Sequence, residues 1–167
     1  MQKLTQKINQ RVTPQTYTEL MTIADSLTLR KNGHITDGGF DSRTIKLLKV
    51  DVEGFDTIVL RGAGDIIRKH KPVVFLEYNR QNMISIKEDG LSTLLSFEQA
   101  GYNKVAFFDH KGTLILATSV KNKEVVTYLH DYASSAKNLI GYYDICLFHE
   151  EDDQLAEQFL TLEKKFV

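Results

Sequence analysis

The apolar residues of this sequence follow two alternating patterns, which are short dense runs and stripes at helical spacing. Dense runs at residues 45–52 and 73–77 have the near-continuous apolar character of strands that are buried on both faces of a parallel sheet. Between and after these runs, apolar residues recur as they do on one face of an amphipathic helix. The predicted helices cover residues 58–67, 91–98, 123–136 and 155–166. Gly62 and Gly64 interrupt the first stretch, which is therefore predicted to form two short helices or one kinked helix.

Turn residues and the remaining apolar runs complete the predicted order of elements. Residues 105–108 and 114–117 flank the turn at residues 109–112 and predict an antiparallel hairpin. A further strand is predicted over residues 143–148. Because strands alternate with helices, the sequence predicts an α/β domain with a mostly parallel sheet, flanking helices and a C-terminal antiparallel hairpin.

The first 40 residues carry the weakest pattern. Thr13 and Pro14 are typical of an N-cap and a first helical position, and they predict a helix over residues 14–26. Turn residues follow at 31–33 and 37–39. We therefore predict two parts, a helical or irregular N-terminal segment at residues 1–40 and an α/β domain at residues 41–167.

Composition limits the classes of partner. The chain has 167 residues, the size of one domain, and 21 Lys+Arg against 22 Asp+Glu give a formal net charge of -1. This balance does not favour electrostatic capture of nucleic acid or of an anionic membrane. The single cysteine, Cys146, cannot form an internal disulfide, which indicates a reducing compartment. With no apolar stretch of membrane-spanning length and no apolar signal core, the predicted location is the cytoplasm.

Polar side chains follow both apolar strands, where ligands of open α/β sheets bind. Asp51 and Glu53 lie two positions apart, so in an extended segment they point to the same face, where paired carboxylates can share a proton, bind a cation or orient a hydroxyl. Gly54 permits a tight turn into the next helix. The alternative interpretation is that Glu53 only caps that helix, whose N-terminus favours negative charge.

Glu77 ends the second apolar run and is followed by Tyr78, Asn79 and Arg80. A carboxylate is rarely buried in such a place unless it is paired. Arg80 could pair with Glu77 and give it a structural role. In the functional interpretation, Glu77 faces the same cleft as Asp51, and the three residues after it contact the substrate.

Three linked stretches resemble the signature of the FkbM-family methyltransferases. They are residues 47–63, with Leu-Leu-Lys-Val-Asp-Val-Glu-Gly-Phe-Asp followed by Val-Leu-Arg-Gly-Ala; residues 71–77, Lys-Pro-Val-Val-Phe-Leu-Glu; and Leu94-Leu95 followed by Gly101-Tyr102. Each stretch alone is a weak motif, but their order is fairly specific. The resemblance spans residues 45–108.

The resemblance implies a fold, a reaction and a set of site residues. The fold is a Rossmann-like sheet of class I methyltransferases, with the Asp51 strand as the fourth strand and the Glu77 strand as the fifth. The reaction is methyl transfer from S-adenosylmethionine, typically to an oxygen of a small-molecule or glycan acceptor. The implied catalytic residues are Asp51, Glu53 and Glu77. The implied cofactor-binding residues are Asp51, Val52, Glu53 and Gly54, and the implied substrate-binding residues are Tyr78, Asn79 and Arg80.

The sequence departs from the family pattern in one respect. It lacks the acidic-x-Gly-x-x-x-Gly loop that holds the methionine part of the cofactor, and Asp37-Gly38-Gly39 stands too close to the Asp51 strand to replace it. We therefore expect part of a Rossmann-like domain, in which the Asp51 strand forms a sheet edge that residues 1–40, a second copy or a partner chain covers.

The absence of this loop leaves two main functional hypotheses open. The chain is either a methyltransferase, incomplete or inactive alone, or a non-catalytic α/β binding module that has lost the cofactor loop. A metal-dependent hydrolase built on Asp51 and Glu53 is a distant third hypothesis. No metal site is predicted, because the five histidines are scattered along the sequence.

Overall fold

The computed structural model describes residues 45–166, which form one mixed α/β unit. The strands are β1 (Leu47–Val50), β2 (Val73–Tyr78), β3 (Tyr102–Asp109), β4 (Leu114–Ser119) and β5 (Tyr143–His149). The α-helices are α1 (Asp56–Gly62), α2 (Gly64–His70), α3 (Arg80–Ser85), α4 (Leu91–Ser96), α5 (Lys123–Ser134) and α6 (Asp153–Glu163). Short 3₁₀ turns lie on both sides of α6, at Glu150–Asp152 and Lys164–Phe166. The helix predicted at residues 14–26 lies outside the described residues.

Most of the predicted elements are present. The stretch interrupted by Gly62 and Gly64 forms two short helices, α1 and α2, which meet at Ala63. The predicted hairpin forms from β3 and β4. Helix α3 was not predicted, because its six residues are too few to show an apolar period. Within residues 45–166, no helix combines the length and the apolar character needed to cross a membrane.

The prediction of a mostly parallel sheet is wrong. The strand order is β1-β2-β5-β3-β4, and only the β1–β2 pair is parallel. The β2–β5, β3–β5 and β3–β4 pairs are antiparallel. Strands β3 and β4 form a hairpin and therefore run in opposite directions. Strand β5, which follows α5, runs in the same direction as β4 and therefore opposite to β2 and β3. Strand β5 then inserts between β2 and β3, which the alternation of strands and helices along the sequence does not reveal.

The two faces of the sheet have different coverings. On β2, Val74, Leu76 and Tyr78 point to the face that packs against helices α1–α5. Phe75 points to the opposite face, whose apolar cluster includes Ala156 and Leu160 of α6. This alternation follows from the two-residue period of a strand. Glu77 stands two positions after Phe75, so its carboxylate lies on the α6 face.

Candidate functional site

The turn after β1 is shaped by a buried aspartate that begins α1. The Asp56 carboxylate accepts hydrogen bonds from the backbone N–H groups of Val52 (3.2 Å) and Gly54 (3.1 Å). Glu53 and Gly54 both have positive φ, 52° and 95°, a conformation that glycine adopts at little cost. Burial raises the pKa of Asp56, although the backbone hydrogen bonds oppose this effect. The carboxylate of Asp56 therefore fixes the path of the chain from β1 into α1.

The alternative interpretation of Glu53 as a helix cap is wrong. The N-cap position of α1 is Phe55, and no side chain makes a capping hydrogen bond there. Instead, the exposed Glu53 carboxylate accepts a hydrogen bond of 3.0 Å from Asn82 Nδ2 in α3. Glu53 therefore joins the turn after β1 to the helix after β2.

A row of three carboxylates crosses the sheet where β1 and β2 end and β5 begins. Glu77 of β2 stands directly opposite Asp144 of β5. Val50 pairs with Leu76, so Asp51 follows one position further along, beside Glu77. We call Asp51, Glu77 and Asp144 the acidic row. The structure thus brings Asp51 and Glu77 to the same edge of the sheet, as predicted from sequence.

The side chains of the acidic row are buried to different degrees. Glu77 is 7% exposed and Asp144 is 1% exposed. The side chain of Asp51 is 29% exposed and accepts a hydrogen bond of 3.1 Å from Lys49 Nζ. Asp144 Oδ2 is buried and has no hydrogen-bond partner among the described residues.

Burial and like charges raise the pKa of the two buried members of this row. Burial raises the pKa of Glu77 to about 7, and the negative charges of Asp51, Asp56, Glu53 and Asp144 add to the effect. A carboxyl group with such a pKa is poised to accept or release a proton near neutral pH.

Asp144 behaves in the same way. Burial raises its pKa to about 6, and the charges of Asp51 and Asp109 raise it further while that of Lys49 opposes them. The row therefore contains two buried carboxyl groups that both titrate well above the usual range of aspartate and glutamate.

Arg80 does not pair with Glu77. Its guanidinium donates to Ser134 Oγ (2.9 Å) and to the backbone carbonyls of Glu88 (3.0 Å) and Asp89 (2.6 Å). Arg80 is 6% exposed, so these hydrogen bonds provide acceptors for a buried guanidinium group. Its structural role is to hold the loop before α4 and helix α5 against α3.

Tyr78 also lies away from the acidic row, on the opposite face of the sheet. Its hydroxyl is 2.7 Å from His130 Nδ1 in α5. Burial lowers the pKa of His130, which favours the neutral imidazole and a hydrogen bond from Tyr78 to Nδ1. Asn79 accepts a hydrogen bond of 3.3 Å from the Asn82 backbone N–H and is the N-cap of α3. The structure therefore does not bring Tyr78 and Arg80 together with Glu77, and their substrate-binding role stays a prediction.

Comparison with known families identifies the domain. The sequence matches the methyltransferase FkbM domain over residues 9–104. This match covers more than half of the chain. The chain belongs to the FkbM methyltransferase domain family.

The matched range covers the part of the candidate site that lies on β1 and β2. It includes β1, β2 and the acidic residues Asp51, Glu53 and Glu77. It also includes most of residues 1–40, so the division of the chain at residue 41 stays a prediction. No curated protein and no solved structure matches the chain.

Two acidic residues of this FkbM domain were not selected from the sequence. Asp144 lies beyond the matched range, inside the apolar run of β5. Asp144 could have been selected from the sequence, because a charged residue in an apolar strand is the same signal that indicated Glu77. Asp56 was noted only as part of the family signature, because its role depends on the fold of the turn. Within residues 45–166, no three His, Cys, Asp or Glu side chains are arranged to hold a metal ion.

Proposed function

We propose that this FkbM domain takes part in S-adenosylmethionine-dependent methyl transfer to a hydroxyl oxygen, and that the acidic row holds the acceptor. The observation that carries the proposal is Glu77, a buried carboxyl group with a pKa of about 7 at the end of β2. A general base is most effective when its pKa lies near the working pH. In this proposal the five strands belong to a Rossmann-like sheet, with β1 and β2 as its fourth and fifth strands.

The acidic residues fit the charge of the cofactor. Asp51 of the row and the neighbouring Glu53 are exposed carboxylates, and Asp144 Oδ2 is a buried acceptor without a donor among the described residues. Such a group of acids favours a cationic ligand or one that carries hydroxyl groups. Bound S-adenosylmethionine would supply an electrophilic methyl group on a cationic sulfur. We assign its binding to Asp51, Glu53 and the turn residues Val52 and Gly54.

Each carboxylate of the site has a distinct proposed role. Glu77 accepts the proton of the acceptor hydroxyl, because its pKa allows it to hold a proton near neutral pH. Asp51 orients that hydroxyl through a hydrogen bond. Glu53 keeps the turn after β1 in register with α3 through Asn82. Asn79 begins α3 at the same edge and is half-buried, so it is the best placed of the three predicted substrate-binding residues.

Calorimetric titration of S-adenosylmethionine into the 167-residue chain tests this proposal. We expect a dissociation constant on the order of micromolar, and weaker binding of S-adenosylhomocysteine, whose sulfur is neutral. Asp51→Asn and Glu53→Gln should each weaken binding about threefold to tenfold, since each removes roughly 1 kcal/mol of attraction.

The control for this titration is Glu150→Gln, which changes an exposed glutamate at the other end of β5 and should leave binding unchanged. Absence of binding at millimolar ligand would contradict the proposal and favour the non-catalytic α/β module. The nature of the acceptor, a partner chain at the β1 edge and a cytoplasmic location stay predictions.

A further inference from the structure

The family signature does not account for the pairing of Glu77 with Asp144, because Asp144 lies outside the matched range. These residues stand directly opposite each other in the β2–β5 ladder, so their side chains project from the same face. Directly opposed residues of antiparallel strands have Cβ atoms roughly 4.5–5.5 Å apart. Both side chains are more than nine-tenths buried. Two carboxyl groups are thus held close together away from water.

Among the described residues, the charged groups around this pair are mostly acids. The charged and titratable groups that act on the pair come from β1, the turn after it, α1, β3 and the residue before β5. They are Lys49, Asp51, Glu53, Asp56, Asp109 and Tyr142. Lys49, the cation among these described residues, donates a hydrogen bond of 3.1 Å to Asp51. Ionisation of both Glu77 and Asp144 would therefore place two like charges together among further acids, which is costly.

We propose that Glu77 and Asp144 share one proton at neutral pH, and that Asp144 is a positioning residue that keeps Glu77 ready to accept the proton of the acceptor hydroxyl. The role assigned to Glu77 rests on the proposed function, whereas the sharing of the proton does not. A shared proton gives Asp144 Oδ2 a hydrogen-bond partner, which it otherwise lacks among the described residues. The pair then carries one negative charge, which is available to a hydroxyl group.

The titration of the pair agrees with this arrangement. Burial raises the pKa of both carboxyl groups, to about 7 for Glu77 and about 6 for Asp144. Groups that interact this closely lose their protons in two steps that belong to the pair and not to either residue. Asp144 would therefore add to the effect of burial on the pH at which Glu77 can act as a base.

Carboxyl-carbon NMR of the 13C-labelled full chain tests the shared proton without cofactor or activity. In the wild type, we expect the signals of both residues to shift in both of two steps between about pH 4 and pH 8. In Asp144→Asn, Glu77 should titrate in a single step with a lowered pKa. Glu53→Gln removes a more exposed carboxylate of the same site, and in this control the two steps should persist.

Independent single steps for Glu77 and Asp144 in the wild type would overturn the proposal. An unchanged pKa of Glu77 in folded Asp144→Asn would do the same. The wild-type titration decides the question even where the variant does not fold. Coupled titration without S-adenosylmethionine binding would uphold the shared proton and reject the proposed function, so the two failures are distinguishable.

Discussion

Glu77→Gln is expected to stabilise the fold by about 3 kcal/mol at pH 8, although it changes the proposed general base of the site. The folded state raises the pKa of Glu77 from 4.5 to about 7, chiefly through burial. Each pH unit of such a difference is equivalent to about 1.4 kcal/mol. Glutamine has nearly the same shape, cannot ionise, and can donate its amide N–H to Asp144 Oδ2, which accepts no hydrogen bond from the described residues.

The size of this stabilisation depends on pH. A carboxyl group with a raised pKa binds more protons in the folded state than in the unfolded state, so its contribution to stability is present below pH 4.5 and is lost as the pH rises through about 7. The gain from Glu77→Gln should therefore be below about 1 kcal/mol at pH 5 and reach its full value at pH 8. Chemical denaturation at the two pH values measures the difference.

Glu150→Gln is the matched control for this experiment, because Glu150 is exposed just after β5. Its stability should equal that of the wild type at both pH values. An equal effect of Glu77→Gln at pH 5 and at pH 8 would contradict the account, since the gain would then not come from ionisation. Stabilisation by loss of a charge is also what is expected where a residue is kept for its chemistry at the expense of stability.

Gly54→Ala is expected to destabilise the fold by about 2–4 kcal/mol. Gly54 has a φ of 95°, which L-residues rarely adopt. An added Cβ would lie 2.7 Å from Asn82 Cβ and 2.8 Å from the Asn82 carbonyl carbon, and the backbone cannot easily move away. Backbone strain and overpacking each cost about 1–3 kcal/mol. The substitution should also separate Glu53 from Asn82, because it pushes apart the turn and α3.

Gly64→Ala provides the contrast within the same chain. Gly64 lies in α2, and the atom nearest to an added Cβ is the end of the Arg68 guanidinium at 3.3 Å, which can rotate away. Helix propensity then predicts no loss, and a gain of up to about 1 kcal/mol. Thermal or chemical denaturation of both variants compares the two positions. Equal stability of the two alanine variants would show that the turn at Gly54 tolerates a side chain.

Most elements of the fold were predictable because their signals are local. The apolar runs at 45–52 and 73–77, the turn between β3 and β4, and the stripe of α5 each depend on residues that are close in sequence. The direction of β5 was not predictable, because the insertion of β5 between β2 and β3 depends on contacts that are distant in sequence. When a hairpin lies between two strands, the alternation of strands and helices does not show whether the later strand, here β5, runs parallel or antiparallel to β2.

The site was predictable only in part for a related reason. Glu77 was selected because it ends an apolar strand, and the structure places it beside Asp51 as expected. Asp144 is also a charge in an apolar strand, but only the sheet order brings it opposite Glu77. Arg80 seemed a natural partner for Glu77 in sequence, but it lies at the start of α3 and its hydrogen bonds go to the opposite side of the sheet.

The most direct test of the account is to locate the ligand by NMR of the 15N-labelled chain during titration with S-adenosylmethionine. The account predicts the largest changes in backbone amide signals at residues 51–54, Glu77 and Asp144, where the acidic row meets the turn after β1. Changes centred on the groove of about 350 Å³ between α1, α2 and α4, which is lined by Leu60, Ile67 and Phe97, would contradict it. An unchanged spectrum at millimolar ligand would also contradict it.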